Sequence, residues 1–169
     1  MPFQSTVNIY PAFGLVGQIY KDGPIRSQEL IVNSSGTANN VGYAYTKSNA
    51  TNVATVGGAI TNGSTVFAGI LISPKSYAAV GTSAGGTLAA TLAVPDNSLG
   101  EFVTMGDIVV ALTGAANIGD QVQYNTTTGA LSAVAPGASA SGGNALVPNA
   151  VVIDFQNTAA GIAAIRLTN

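Results

Sequence analysis

The stretch Gly100–Leu131, GEFVTMGDIVVALTGAANIGDQVQYNTTTGAL, decides the fold class of this chain. It holds three strand-like runs. Phe102 to Thr104 is short and apolar, and Asp107 to Leu112 is rich in β-branched residues. Asp120 to Tyr124 alternates, with Val122 and Tyr124 on one side and Gln121 and Gln123 on the other. Gly106-Asp107 punctuates the first junction and Gly114 to Gly119 forms the second. In the third connection, Asn125 to Gly129, the pair Thr128-Gly129 supplies the positive-φ residue that a hairpin turn requires before Ala130 to Val134. The pattern predicts a meander of short antiparallel strands built to pack, with no chemistry of its own.

Outward from this block the chain reads the same way. Arg26 to Asn33 (RSQELIVN) follows the turn Asp22-Gly23-Pro24 as a strand. Val41 to Thr46 places Val41, Tyr43 and Tyr45 on one face and Gly42, Ala44 and Thr46 on the other. Val53 to Ile60 is a weaker, Gly-interrupted strand, and Asn62-Gly63 is the strongest hairpin signal. Val66 to Ser73 is a buried-strand run stopped by Pro74, and Ala150 to Phe155 and Gly161 to Leu167 close the chain. Lys75 to Ala93 fits either a loop with a short helical turn or a Gly-rich strand pair, and Ala135 to Gly143 is a low-complexity loop.

The fold expected is all-β: a small antiparallel β-barrel or sandwich with an extended N-terminal arm. Residues 1–20 are the arm and residues 21–169 a single domain, long enough to bury its own core. Tyr43, Tyr45, Ile70, Ile108, Val110, Val122, Tyr124, Val152, Ile153 and Ile165 are the expected core. The arm is broken by Pro11, Gly14 and Gly17, which suits extended chain better than helix. Its Val7, Ile9, Tyr10 and Phe13 are costly to leave in water, so they are the candidate interface residues toward a neighbouring subunit.

Composition excludes much. The chain has no Cys and no His, which removes disulfides, thiolate chemistry, the commonest general base and the commonest metal ligand. Charged residues make up 7% of the chain, against roughly 25% in typical soluble domains. Mean hydropathy is +0.38. No apolar run reaches the length of about 18 to 20 residues that a spanning helix needs, and the strands look too short for a membrane barrel. Low charge instead suits a subunit repeated many times in a lattice, where a net charge of -2 limits repulsion between copies. The five cations, Lys21, Arg26, Lys47, Lys75 and Arg166, are scattered and make no surface for a phosphate backbone. No nucleic-acid or membrane partner is expected, and self-association as a dimer or trimer is.

Chemical motifs are sparse. Gly81-Thr82-Ser83-Ala84-Gly85 has the form of a nucleophile elbow, but no His is present to activate the serine. Asp96 and Glu101 flank one loop, and Asp107 and Asp120 open two expected strands, an arrangement that a glycosidase-like pair or a Ca²⁺ site would use. Each sits beside a turn signal, where a carboxylate ordinarily caps backbone N–H groups. Sequons begin at Asn33, Asn49, Asn62 and Asn125, as expected by chance in a chain crowded with Asn, Ser and Thr. Met1-Pro2-Phe3-Gln4 does not open a signal peptide. No enzymatic activity, cofactor or metal is expected.

Three segments carry a family resemblance. FQSTVNIYPAFGLVGQIY at residues 3–20, followed by DGPIRS, looks like an opening arm. AVPDNSLGEFVTMGDIVVALTGAANIGDQVQYNTTTGALSA at residues 93–133 looks like a central strand block, and NAVVIDFQNTAAGIAAIRLTN at residues 149–169 looks like two last strands. Together they resemble the structural cement, or capsid decoration, proteins of tailed bacteriophages, the Gp24-like cement family. Thr46 to Ile60 and Lys75 to Leu88 depart from that pattern in being richer in Gly, Ala and Asn. The resemblance implies a virion protein made in the host cytoplasm that sits on the outer capsid surface and clamps neighbouring major capsid subunits, with no active site. The alternatives are a subunit of an extracellular lattice or fibre, such as a pilus-like or tail-fibre component that binds host glycans, and a small β-fold enzyme using carboxylates alone.

Overall fold

The computed structural model describes residues 14–73, 80–82 and 88–168. Every regular element among them is a strand: β1 (Arg26–Val32), β2 (Asn39–Asn40), β3 (Ala44–Ser48), β4 (Val53–Val56), β5 (Thr65–Leu71), β6 (Val80–Thr82), β7 (Leu88–Val94), β8 (Ser98–Leu112), β9 (Gln121–Asn125), β10 (Leu131–Val134), β11 (Asn144–Asp154) and β12 (Gly161–Leu167). The all-β expectation holds. Nine strands form one sheet in the order β1-β4-β3-β5-β8-β10-β9-β11-β12, and β8 pairs additionally with both end strands, β1 and β12. The sheet therefore closes twice. β1, β4, β3, β5 and the first half of β8 make one five-stranded ring, and the second half of β8 with β10, β9, β11 and β12 makes another.

This arrangement corrects the reading of the deciding stretch. The expected runs Phe102–Thr104 and Asp107–Leu112 belong to one 15-residue strand, because Gly106 does not turn the chain but kinks it, at φ 135°. Nor is the block a meander, since β10 lies between β8 and β9 and touches β8 in parallel at Leu131–Leu112. β1 and β4 are also parallel, so the sheet is not wholly antiparallel. The β9–β10 hairpin is as expected, with Gly129 at φ 74°. Asn62-Gly63 does turn, but it joins strands that β3 separates. Of the two readings of Lys75 to Ala93, the strand pair holds where the chain is described: β6 pairs antiparallel with β7, and with β2 they form a separate three-stranded sheet.

Two cores fill the two rings. Val32, Tyr45, Ala54, Val56, Leu71 and Phe102 pack in the first. Ile70, Val103, Ile108, Val110, Val122, Tyr124, Leu131, Val152, Ile165 and Leu167 pack in the second, with Ala44. The dividing wall is β3, β5 and β8, whose successive residues alternate between the cores: Ala44 and Tyr45, Ile70 and Leu71, Val103 and Phe102. A strand normally shows one face to water; here neither face is free. The expected core residues Tyr43 and Ile153 are only half-buried, whereas Ala44 and Thr46, on the face opposite Tyr43 and Tyr45, are buried.

The wall needs a local break in pleat. Phe67 and Ile70 both serve the second core although they are three residues apart, because the β3–β5 register shifts opposite Gly69 and Phe67. Gly69 sits at φ 131°, and a Cβ there would lie 2.7 Å from the Val103 carbonyl oxygen. The rings are tied further by the β9–β10 turn: Ala44 N–H donates to the Gly129 carbonyl, Gly58 N–H to the Thr126 carbonyl, and the Tyr124 hydroxyl to the Gly58 carbonyl at 2.9 Å. Burial pushes the Tyr124 phenol up to about 12.

Two carboxylates brace the loops and seams. Asp96 accepts hydrogen bonds from Ser34 N–H, Gly36 N–H and the Asn39 amide at 2.8–3.1 Å, joining the turn after β7 to the loop after β1. Asp107 on β8 accepts a two-point bond from Arg166 on β12, Nε to Oδ1 at 2.8 Å and Nη2 to Oδ2 at 2.9 Å. Both carboxyls are held below the ordinary carboxylate value of 3.8, Asp96 mainly by the Ser34 N–H and Asp107 mainly by Arg166.

Two outcomes are expected. Gly69→Ala adds a clash with backbone to a strained φ, so urea unfolding should show a loss of about 3 kcal/mol or more; a loss below about 1 kcal/mol would mean the wall is not tightly closed there. Because folding depresses both carboxyls, their contribution is complete above the usual carboxylate range and is lost as pH falls through the depressed folded values. Asp96→Ala should cost about 1 to 3 kcal/mol at pH 7 and leave a shallower fall in stability below about pH 4, read from melting curves across that window.

Candidate functional site

No group of three or more acidic, His or Cys side chains that could hold a metal occurs among the described residues. The four carboxylates weighed for acid–base work are separated and occupied. Asp96 caps backbone, Asp107 binds Arg166, and Asp120 accepts the Asn117 N–H at 2.8 Å. Glu101 lies on β8 directly opposite Glu29 of β1 and accepts the Ser27 hydroxyl at 2.9 Å. Backbone capping, the structural role expected of such residues, describes Asp96 and Asp120; Asp107 differs in being mid-strand. Ser83 of the elbow-like motif lies outside the described residues, and its Gly81 and Thr82 belong to β6.

Two of the sequon asparagines make structural hydrogen bonds. Asn33 Nδ2 donates to Asn97 Oδ1, and Asn125 Oδ1 accepts Thr127 N–H and Thr128 N–H within its own turn. Asn49 and Asn62 are exposed in loops.

The surfaces available for contact are therefore of more interest than any catalytic group. The arm residues Val7, Ile9, Tyr10 and Phe13 lie outside the described residues. What is described of the N-terminal segment begins at Gly14 and runs antiparallel beside β8. Gly17 N–H donates to the Val109 carbonyl, Val109 N–H to the Gln18 carbonyl and Tyr20 N–H to the Asp107 carbonyl, all at 2.8–2.9 Å. Ile19 bridges Ile108 and packs on the second core. Tyr20 donates to Asp154 Oδ2 at 2.8 Å, which raises its phenol pKa, and meets the Phe155 ring edge-on at 5.4 Å. Sequence reasoning missed this anchoring, since Gly14 and Gly17 read as arm punctuation when in fact Gly17 fits closely beneath Val41.

Between this segment and β1 the chain leaves β8 at Lys21–Ile25, opening a cleft of about 320 Å³ where β8 kinks. Ile25, Met105 and Leu167 give it an apolar floor beside the Asp107–Arg166 pair. Further large apolar side chains are exposed at Leu15, Ile31, Ile60, Leu99, Ile118 and Ile162. Ile31 and Leu99 are cross-strand partners, with Val53 of β4 next to Ile31 on the other side. A closed double-ring domain with apolar side chains on its outside and few charges is equipped to bind protein surfaces.

Comparison with known proteins agrees with that geometry. No curated protein matches the chain. Among solved structures, a chain from the capsid of Myoviridae phage XM1 shares the fold with a TM-score of 0.63 at 16% identity, over 99% of this chain and 98% of that one. Residues 3–168 match the family model described as structural cement protein (E217 gp24/Pam3 gp6). The chain thus belongs to the structural cement protein family of bacteriophages, a family of virion structural proteins.

Proposed function

We propose that this protein decorates the outer surface of a tailed-phage head and cements it by binding across neighbouring major capsid subunits, without catalysis. The observation that carries the reading is the family match along residues 3–168. The surface supports it. Exposed Leu15, Ile31, Leu99 and Ile118 offer apolar contact, and a net charge of -2 keeps repulsion between repeated copies low. The protein faces outward, away from the genome, and neither nucleic acid nor membrane is among its partners.

Attachment is assigned in part to the arm. Val7, Ile9, Tyr10 and Phe13 would add an extended segment to a sheet edge of a neighbouring subunit, with alternate side chains filling pockets. The pairing of residues 14–20 along β8 supports this, because it gives a docked arm a fixed root. Ordering about ten residues costs on the order of 10 kcal/mol in backbone entropy, so apolar contacts must exceed that for the arm to stay bound. Self-association as a dimer or trimer follows from the same sparsely charged surface, closed by symmetry around a standard interface of about 800 Å² per partner.

Removing residues 1–13 should leave thermal unfolding nearly unchanged while weakening binding to heads that lack this protein by several kcal/mol. Unfolding of the truncated chain would instead make that segment an integral strand. Light scattering at micromolar concentration should give a dimer or trimer mass; a stable monomer that binds no apolar dye would sink the oligomer assignment.

A further inference from the structure

The outer face of β4, β1 and β8 carries three rows of side chains. Cross-strand partners project to the same side of a sheet, so the register fixes the rows. One row is apolar: Val53, Ile31 and Leu99 follow one another across the three strands, with Ile31 48% and Leu99 42% exposed. Two residues along on β1 and β8 lies an acidic row, Glu29 opposite Glu101. On the other side lies a neutral polar row, Asn33 bonded to Asn97 at 2.9 Å.

The acidic row is out of keeping with the rest of the molecule. The chain has only seven acidic residues, yet two of them face each other directly across a strand pair. Like charges in that position are destabilising. Among the described residues the Glu29 side chain makes no hydrogen bond or ion pair, the Glu101 carboxylate accepts the Ser27 hydroxyl alone, and the ion pair is Arg166–Asp107, elsewhere. A cationic side chain delivered from outside would relieve the repulsion between the two carboxylates, while its apolar neighbours covered Ile31 and Leu99.

We propose that this face is a docking surface for an apolar segment of a capsid subunit that carries a Lys or Arg, the cation seating between Glu29 and Glu101 and the apolar side chains on Ile31, Leu99 and Val53. The proposal rests on the cement reading and names the chemistry of its contact. A second copy of this chain fits less well. None of the three rows contains a Lys or Arg, so a two-fold contact through this face would bring four carboxylates together without a cation.

The test is binding to heads of the parent phage that lack this protein, measured for the wild type, E29Q/E101Q, E29K/E101K, I31S/L99S and, as a control in the loop after β10, S139A. Each of the first three variants should bind at least about tenfold more weakly than wild type, and S139A should bind like wild type. Wild-type affinity should fall with added salt. E29Q/E101Q should melt at or above the wild-type temperature, since relief of like-charge repulsion separates a binding role from a folding role, and this variant decides the matter if E29K/E101K fails to fold. Undiminished binding by E29Q/E101Q and I31S/L99S, with wild type bound, overturns this proposal and leaves the cement reading intact. Loss of self-association with unchanged head binding assigns the face to a second copy and also overturns it. Failure of wild type to bind heads at all overturns both.

Discussion

The structure depends on one strand being buried on both sides at its centre, around Phe102 and Val103. β8 carries Phe102 into one core and Val103, Ile108, Val110 and Leu112 into the other, and it closes both rings by pairing with β1 and β12. A stretch with two buried faces cannot be placed at the surface, so the strands of both rings are arranged around β8. The small residues of the wall follow from the same constraint. Ala44 and Gly69 stand where backbones of β3, β5 and β8 approach each other, and larger side chains would separate the cores.

Several of the few charged groups join segments distant in sequence. Asp107 and Arg166 connect the central strand to the last, and Asp96 gathers the loop that follows β1. In a chain with seven acidic and five basic residues, these bonds use a substantial part of the supply. Glu29 and Glu101 differ in facing each other across β1 and β8 beside the exposed Ile31 and Leu99. The family to which the chain belongs is consistent with a molecule whose exterior, and not an interior site, does the binding.

Much of this was legible in the sequence, for definite reasons. Arg26–Val32 and Gly161–Leu167 were readable because each is a short run bounded by turn residues. The double closure was not. Phe102–Thr104 and Asp107–Leu112 were read as separate strands because Gly-Asp is ordinary turn chemistry, and only contact with two different partner strands keeps β8 extended through Gly106. Alternation misled at Ala44 and Thr46, since period two assigns one face to solvent and a wall between two cores has no such face. Asn62-Gly63 turns the chain as its chemistry requires, but a turn signal says nothing about whether the strands it joins lie side by side. For the contact surface, the exposed Ile31 and Leu99 become neighbours only through the β1–β8 register, which no local pattern encodes.

Ring closure also bears on how such a weakly charged chain guards the edges of its sheet. Open sheet edges template pairing with other chains, and proteins commonly guard them with Lys or other charges placed along the edge strand. This chain has few charges to place. Its nine-stranded sheet ends in no free edge, because each terminal strand is hydrogen-bonded back to β8. In the small sheet the outer strands are two and three residues long, too short to recruit a foreign strand firmly. Topology thereby does the work that edge charge does elsewhere, and it leaves the faces of the sheet, instead of its backbone, to choose the partners.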